Sequence, residues 1–389
     1  MKYLFKKDTV FATIAVFIVM GLFSLIPLNT HVLDPIRIAL TDISYNDLSF
    51  DRSEKNTGQV DSNIVIINVG NSDRASIANL LVTLKGHHPK VVGIDLLFLD
   101  PKDPSVDSLL KASIADLPNT VLAHDIRFTD GGPIVSGFLT PYATASGYIN
   151  FIGERKGVIR HFSPFEAWKD TIAQSFPGAI IKFADSSAFA ELKARSHTAE
   201  LINYTRQSTQ YITLDLAAMA NNQNVSSLLH NKIVLIGYIG GANDIEDRHF
   251  TPLNPQFMGK SIPDMNGVVI HANIISMILE GSYINKIPTW LNVLIALLFT
   301  WIFMAYTIKF FLEHHLWYHL IMKCIQLTLT ILFVYLGIII REYLHLSASF
   351  SILVVSIILA VDVLYFYEAL ALWLHKKFRY QTIFNKSNH

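Results

Sequence analysis

The chain has 389 residues, 51% of them hydrophobic, and its 31 basic side chains balance 31 acidic ones. Charged residues make up 16%, well below the roughly 25% of a soluble domain, which excludes a disordered chain and a nucleic-acid binder working through bulk basic charge. The balance conceals an asymmetry: residues 29–287 hold 21 Lys/Arg against 26 Asp/Glu, and the apolar remainder holds 10 against 5.

Residues 10–28 (VFATIAVFIVMGLFSLIPL) carry no charge and follow Lys2, Lys6 and Lys7. Their length is close to the ~20 residues that cross a bilayer. No small-x-small cleavage site follows at Leu28-Asn29-Thr30-His31, so the segment reads as an uncleaved anchor and not a signal peptide. Residues 46–63 are polar and turn-rich, the pattern of a linker or loop. Next, IVIINV (64–69) is a short β-branched run ended by Gly70-Asn71, a buried strand. Ile77, Leu80, Leu81 and Leu84 then recur at helical spacing over 73–86. VVGI (91–94) and TVLA (120–123) are further strands, and strand–helix–strand spacing of this length implies parallel pairing with crossover helices. GYINFI (147–152) and VIRHF (158–162) read as a hairpin inserted into that sheet. Residues 170–184 suit a helix, LINY (201–204) and KIVLIG (232–237) are strands, and 268–280 is a closing helix.

Three apolar segments follow. Residues 290–308 open with Trp290 after Pro288, residues 320–340 are interrupted by Lys323 and Gln326, and residues 346–374 by Asp362 and Glu368. Lys2, Lys6, Lys7, Lys309, Lys323, Lys376, Lys377, Arg379 and Lys386 all fall on one side of a four-span arrangement, so the positive-inside rule makes both termini cytoplasmic. The expected organisation is a cytoplasmic N-terminus (1–9), a transmembrane helix (10–28), an external domain (29–287), three transmembrane helices (288–375) and a cytoplasmic tail (376–389). The lone Cys324 lies in the third span, so the outer domain has no disulfide, which suits a bacterial periplasmic domain of an inner-membrane protein. The expected fold class is α/β, a periplasmic mixed sheet with crossover helices between one N-terminal and three C-terminal transmembrane helices.

KIVLIG, Asp247-Arg248, Thr251-Pro252-Leu253 and GVVIHANIISMILEG (267–281) resemble the closing half of the type-two CHASE domain, the cyclase- and histidine-kinase-associated sensory extracellular domain. VVGIDLLF (91–98), GVIRHFSPF (157–165) and INY (202–204) resemble its earlier blocks, so the likeness covers roughly 30–285. Gly70-Asn71 stands where many members carry acidic residues, and a Trp/Pro-rich stretch often seen next is missing. The resemblance implies a sensory role and three closing spans. Members usually continue into a cytoplasmic output domain, whereas here residues 376–389 follow the last span. The expected signal therefore passes to a separate chain.

Asp95 ends the VVGI strand, at the edge where open α/β sheets place ligands; the alternative is a carboxylate that satisfies loop or helix-start amides. Arg248, with Asp247, lies beyond the flexible Gly240-Gly241, placed either to clamp an anionic ligand or to pair with Asp244, Glu246 or Asp95 and fix the loop. His271 opens the closing helix and either binds, titrates or packs; Asn273 is a weaker candidate. In the membrane, Asp362 and Glu368 need partners, and Lys323 is within reach of either. No nucleophile elbow, H-E-x-x-H or phosphate-binding loop motif occurs. No enzyme activity, cofactor or metal is therefore expected. The expected function is a sensory or interaction protein binding an unknown small molecule or protein; the alternative is a structural subunit of an envelope complex. The expected partners are the lipid bilayer, a signalling or envelope-complex protein and a second copy, with no nucleic acid.

Overall fold

The computed structural model describes residues 2–24, 60–129, 132–152, 157–169, 171–221, 224–241, 244, 247–254, 262–314, 317–348 and 350–385. They fall into two compact units, one within Thr41–Ile284 and one made of the N-terminal helix α1 (Lys7–Ser24) with the residues from Asn285 onward.

The first unit begins with β1 (Asp61–Asn68), α2 (Arg74–Lys85), β2 (Val91–Ile94), α3 (Pro104–Asp116), β3 (Thr120–Thr129), β4 (Gly132–Ser136) and β5 (Ala145–Tyr148). It continues through β6 (His161–Phe162), β7 (Phe165–Trp168), β8 (Thr171–Gln174), α4 (Phe176–Ala184), α5 (Ser186–Arg195) and β9 (Glu200–Leu201). It closes with β10 (Tyr211–Asp215), α6 (Leu216–Asn221), α7 (Val225–Leu229), β11 (Ile233–Gly237), β12 (Arg248–His249), β13 (Met265–Asn266) and α8 (Gly267–Glu280). The main sheet has the order β10-β1-β11-β2-β3-β4, with β5 also paired to β3. Every pairing is parallel except β3 with β4, so the fold is mixed α/β.

Both faces of this sheet are buried, which is why its strands read as continuous apolar runs. Along β1 the side chains alternate: Ile64 and Ile66 enter one core with α4, α5 and α8, while Val65 and Ile67 enter the other with α2, α3 and α7. Helix α2 shows how local sequence serves this layering. Asp73 caps it by accepting from the Ser76 amide at 2.8 Å, a contact that stabilises by about 1 kcal/mol. Its buried face is Ile77, Ala78, Leu80, Leu81 and Leu84.

Four expectations need correction. The strand expected from residue 64 starts at Asp61, because the Asp61 carboxylate is buried and partnered; the rest of the polar stretch 46–63 up to residue 59 lies outside the described residues. The hairpin of 147–152 with 158–162 is not in the sheet. Only Ala145–Tyr148 joins it, parallel to β3, because the Asn150 side chain then accepts from the Ile126 amide at 2.9 Å and replaces the next ladder bond. Gly147 permits the approach of α4, since a Cβ there would lie 2.6 Å from the Phe176 nitrogen. The second arm meets the first in one antiparallel bridge, Ile152 with His161, and its β6 pairs with β9 in a separate small sheet, which also removes LINY from the main sheet. The helix expected over 170–184 starts at Phe176: Ser175 caps it, accepting from the Gly178 amide at 3.3 Å, and Thr171–Gln174 forms a hairpin with β7. Helices α3 and α5 and strand β10 were not anticipated.

The second unit contains β14 (Asn285–Lys286), α9 (Thr289–Glu313), α10 (Tyr318–Leu344), β15 (Leu346–Ser347) and α11 (Ser351–Phe378). Helices α9, α10 and α11 are long and apolar enough to cross a membrane. Helix α1 packs on α9 and α11, tied by a hydrogen bond from the Trp301 indole to the Leu4 carbonyl at 3.0 Å. The carboxylate of Asp8, 2% exposed, accepts from the Tyr367 hydroxyl at 2.8 Å and from the Ile383 amide at 2.9 Å. Residues 25–28 of the expected first span lie outside the described residues.

Candidate functional site

Strands β1, β2, β3 and β5 step outward in one direction, β10 lies on the other side of β1, and β11 returns to fill the gap between β1 and β2. Such a reversal of strand order opens a crevice beyond the carboxyl ends of the central strands. Asn68 fixes this edge. Its side chain accepts from the Ile239 amide at 2.9 Å and donates to the Ile239 carbonyl at 3.0 Å, clamping the ends of β1 and β11 together.

Asp95 follows directly on β2. Its amide donates to the Ile236 carbonyl at 2.7 Å, which turns the carboxyl group inward, where it is 8% exposed. Burial, with the negative charge of Asp247 as a second cause, pushes its pKa up to about 8, so the carboxyl is protonated at neutral pH. His271 approaches from α8, whose first turn packs tightly on β11: a Cβ at Gly237 would lie 2.8 Å from the Val268 side chain. The imidazole stacks on Phe151 at 4.7 Å and meets the edge of Phe176 at 5.2 Å. Its Nε2 stands 4.0 Å from Asp95 Oδ1. Its Nδ1 is buried with no hydrogen-bond partner among the described residues. Burial, then the neighbouring His249, lowers its pKa to about 3, so the ring is neutral. His249 meets the same Phe151 ring edge-on at 5.5 Å, and burial holds its pKa below the ordinary histidine value.

The loop after β11 carries the other two candidates. Asp247 adopts a left-handed conformation, φ 57°, and its carbonyl accepts from the Gly267 amide at 3.2 Å. Its carboxylate thereby faces the first turn of α8, where the helix dipole favours a negative charge. Arg248 folds back: its Nη2 donates to the Gly241 carbonyl at 2.9 Å and to the Gly240 carbonyl at 3.4 Å. Asp244, a suggested partner for it, accepts from the Tyr238 hydroxyl, and Glu246 lies outside the described residues. Arg248 Nε is buried without a partner among the described residues, as is Nδ2 of Asn266, its cross-strand neighbour. Asp264 holds the far side by accepting from the Thr251 hydroxyl and, at 2.8 Å, the Thr251 amide.

Asp95, Asp247, Arg248 and His271 are thus drawn to the carboxyl edge of the central strands by three separate segments of chain. Chemically they form a buried polar cluster beside the Phe151 and Phe176 rings: a protonated carboxyl, a neutral imidazole, and a ring nitrogen and two donors with no partner among the described residues. Such groups suit recognition of a polar molecule through hydrogen bonds. Phe151, His249 and Asn266 were missed in the sequence; nothing in their local pattern marks them as site residues, since Phe151 lies in the irregular stretch after β5 and β12 and β13 are each two residues long. Asn273 has another task. It is fully buried, accepts from the Thr205 and Arg206 amides at 3.2 Å each, and donates to the Arg206 and Val269 carbonyls at 3.0 Å. In the helical unit Lys323 takes Asp362, Nζ to Oδ2 3.0 Å, and Glu368 lies half-buried further along α11. Among the described residues no group of three or more His, Cys, Asp or Glu could hold a metal ion.

Comparison with known proteins bears on this arrangement. The sequence model of the CHASE2 domain matches residues 14–307. No curated protein and no solved structure matches the chain.

Proposed function

This chain belongs to the CHASE2 domain family, a family of sensory extracellular domains, and from that premise we propose that it is a membrane-anchored sensor, not an enzyme, whose α/β unit binds a polar small molecule at the carboxyl edge of β2 and β11. The unit lies in the periplasm of a bacterial inner membrane. Helices α1, α9, α10 and α11 span that membrane with both termini in the cytoplasm, the orientation that the lysine distribution favours. The spans deliver the binding event to a separate protein.

The observation that carries the reading is the Asp95–His271 pair: two titratable groups desolvated into their neutral forms beside unused hydrogen-bonding atoms. Uncompensated polar burial costs about 1–3 kcal/mol per group, and clusters that retain it are candidate functional sites. The line of transmission follows from chain order. His271 lies in the first turns of α8, and residues 281–288 alone link Glu280, the end of α8, to Thr289, the start of α9. A ligand that displaces the first turn of α8 therefore acts on an element joined directly to a membrane helix.

The test is a thermal-shift screen of the full chain in mild detergent against small organic acids, amino acids and sugars. The expected result is a compound that stabilises the wild type and loses that effect in Asp95→Asn and His271→Gln, with Asp116→Asn as an exposed control. A compound whose stabilisation survives both substitutions, or a screen without any hit, would favour a domain that scaffolds partners instead.

A further inference from the structure

Helix α10 is the least enclosed of the three long apolar helices: 17% of its apolar stretch is buried, against 44% for α9 and α11. Its buried positions, Tyr318, Met322, Gln326, Phe333, Gly337 and Arg341, lie along one side of the helix, and Gln326 locks that side by donating to the Ile357 and Ile358 carbonyls of α11 at 2.7 and 2.9 Å. Opposite that side lies a stripe, Leu320, Cys324, Leu327 and Ile331, spaced four, three and four residues apart, the a/d spacing of a helix–helix interface. Leu320, Leu327 and Ile331 are 59, 64 and 61% exposed, and Cys324 is exposed.

Lys323 flanks this stripe in the position that heptad pairs use for interhelical ion pairs. With Asp362 of α11 it forms an ion pair whose side chains are 49% and 53% exposed on the outside of the bundle. We propose that this face is the surface through which two copies of the chain pair in the membrane. A half-exposed ion pair facing hydrocarbon is costly, and intramembrane charges as a rule face protein. This one is also self-complementary: under a two-fold axis each Lys323 approaches the Asp362 of the other copy, and a patch carrying one charge of each sign matches itself. A partner with a single charge would leave one member of the pair uncovered. The leucine and isoleucine stripe supplies the apolar seam between the two copies of α10.

Cys324, the only cysteine in the chain, is a native probe in that stripe. Copper-phenanthroline oxidation of the full chain in native membranes should give a disulfide-linked dimer, absent in Cys324→Ser. In the Cys324→Ser background, Leu320→Cys, Leu327→Cys and Ile331→Cys should cross-link at least fivefold better than Ile325→Cys and Leu332→Cys, which are also exposed but lie on a different face of α10. Asp362→Lys should reduce the Cys324 cross-link at least fivefold, and adding Lys323→Asp should restore it. Equal cross-linking at all five introduced positions would indicate random collision and overturn the proposal. So would a monomer throughout, or an adduct of Cys324 with a different protein. None of these readouts involves the Asp95 site, so either conclusion can fail without the other.

Discussion

Two buried carboxylates in the α/β unit are treated in opposite ways. Asp61, at the amino end of β1, is 5% exposed and surrounded by donors: the Ser276 hydroxyl at 2.6 Å, the Asn63 amide at 2.8 Å and the Arg206 guanidinium at 3.7 Å. Arg206 in turn holds Glu280 at 2.6 Å. Asp95, at the carboxyl end of the neighbouring part of the sheet, has no hydrogen-bond donor on its carboxyl among the described residues and faces His271 at 4.0 Å. At one end of the sheet the buried carboxylate is fully engaged in holding α8 and the 203–211 segment in place, although Arg206 Nε is left without a partner among the described residues; at the other end the carboxyl itself has no donor. Where burial of charge is compensated, the role is structural. Where it is not, and the groups converge at the crevice of a parallel sheet, recognition is the better reading.

Substitutions can break this contrast. Asp61→Ala leaves the Ser276 hydroxyl and the Asn63 amide without their acceptor and takes one of two carboxylates from Arg206; it should cost about 3 kcal/mol, read as a large loss in the urea midpoint of the full chain in detergent. Asn273→Ala leaves the Thr205 and Arg206 amides without their acceptor and should cost about 2 kcal/mol, without altering the response to any ligand.

The pH dependence sharpens the contrast. Asp95 has a raised folded pKa, from 3.8 to about 8, so the folded state holds its proton while the unfolded state loses it, and stability falls as pH rises through that window. His271 has a depressed folded pKa, from 6.5 to about 3, so its contribution falls as pH drops through that lower window. The two opposing slopes offset each other between about 3.8 and 6.5. Of this pair only Asp95 acts between pH 6.5 and 8, and it should destabilise by about 1.4 kcal/mol per pH unit there. Melting curves should show that alkaline slope in the wild type and its loss in Asp95→Asn. The smallest expected effect is that of Arg248→Ala. It removes bonds to two loop carbonyls and should cost about 1 kcal/mol, with Arg248→Lys intermediate.

Much of the scaffold was legible because it rests on local pattern. β2 occupies the expected residues 91–94, and α2, β11 and α8 fall within a residue or so of expectation, since each is an uninterrupted apolar run or a clear helical stripe ended by turn chemistry. The segment 145–204 was misread because its pairing is decided by side chains distant in sequence. Asn150 replaces a backbone bond, and β6 finds β9 about 40 residues later. The candidate site shows the same division. Asp95 and His271 stand near ends of elements that the sequence marks, where sheets place ligands, and Asp247-Arg248 stood out through the glycine pair before it and the family resemblance. Phe151, His249 and Asn266 reach the cluster through tertiary contacts with no periodic signature. Asn273 looked like a site residue because a polar side chain on an apolar helix is conspicuous whether it binds a ligand or, as here, four backbone groups of its own chain.

The most direct measurement compares Asp95→Asn with Asp61→Asn in thermal unfolding of the full chain at pH 7.5, followed by circular dichroism. Asparagine is nearly isosteric with a protonated aspartic acid, so the account predicts that Asp95→Asn melts at or above the wild-type temperature while Asp61→Asn melts well below it. A large loss of stability in Asp95→Asn, equal to that of Asp61→Asn, would show that Asp95 is a structural tie and would contradict the assignment of the carboxyl edge as the binding site.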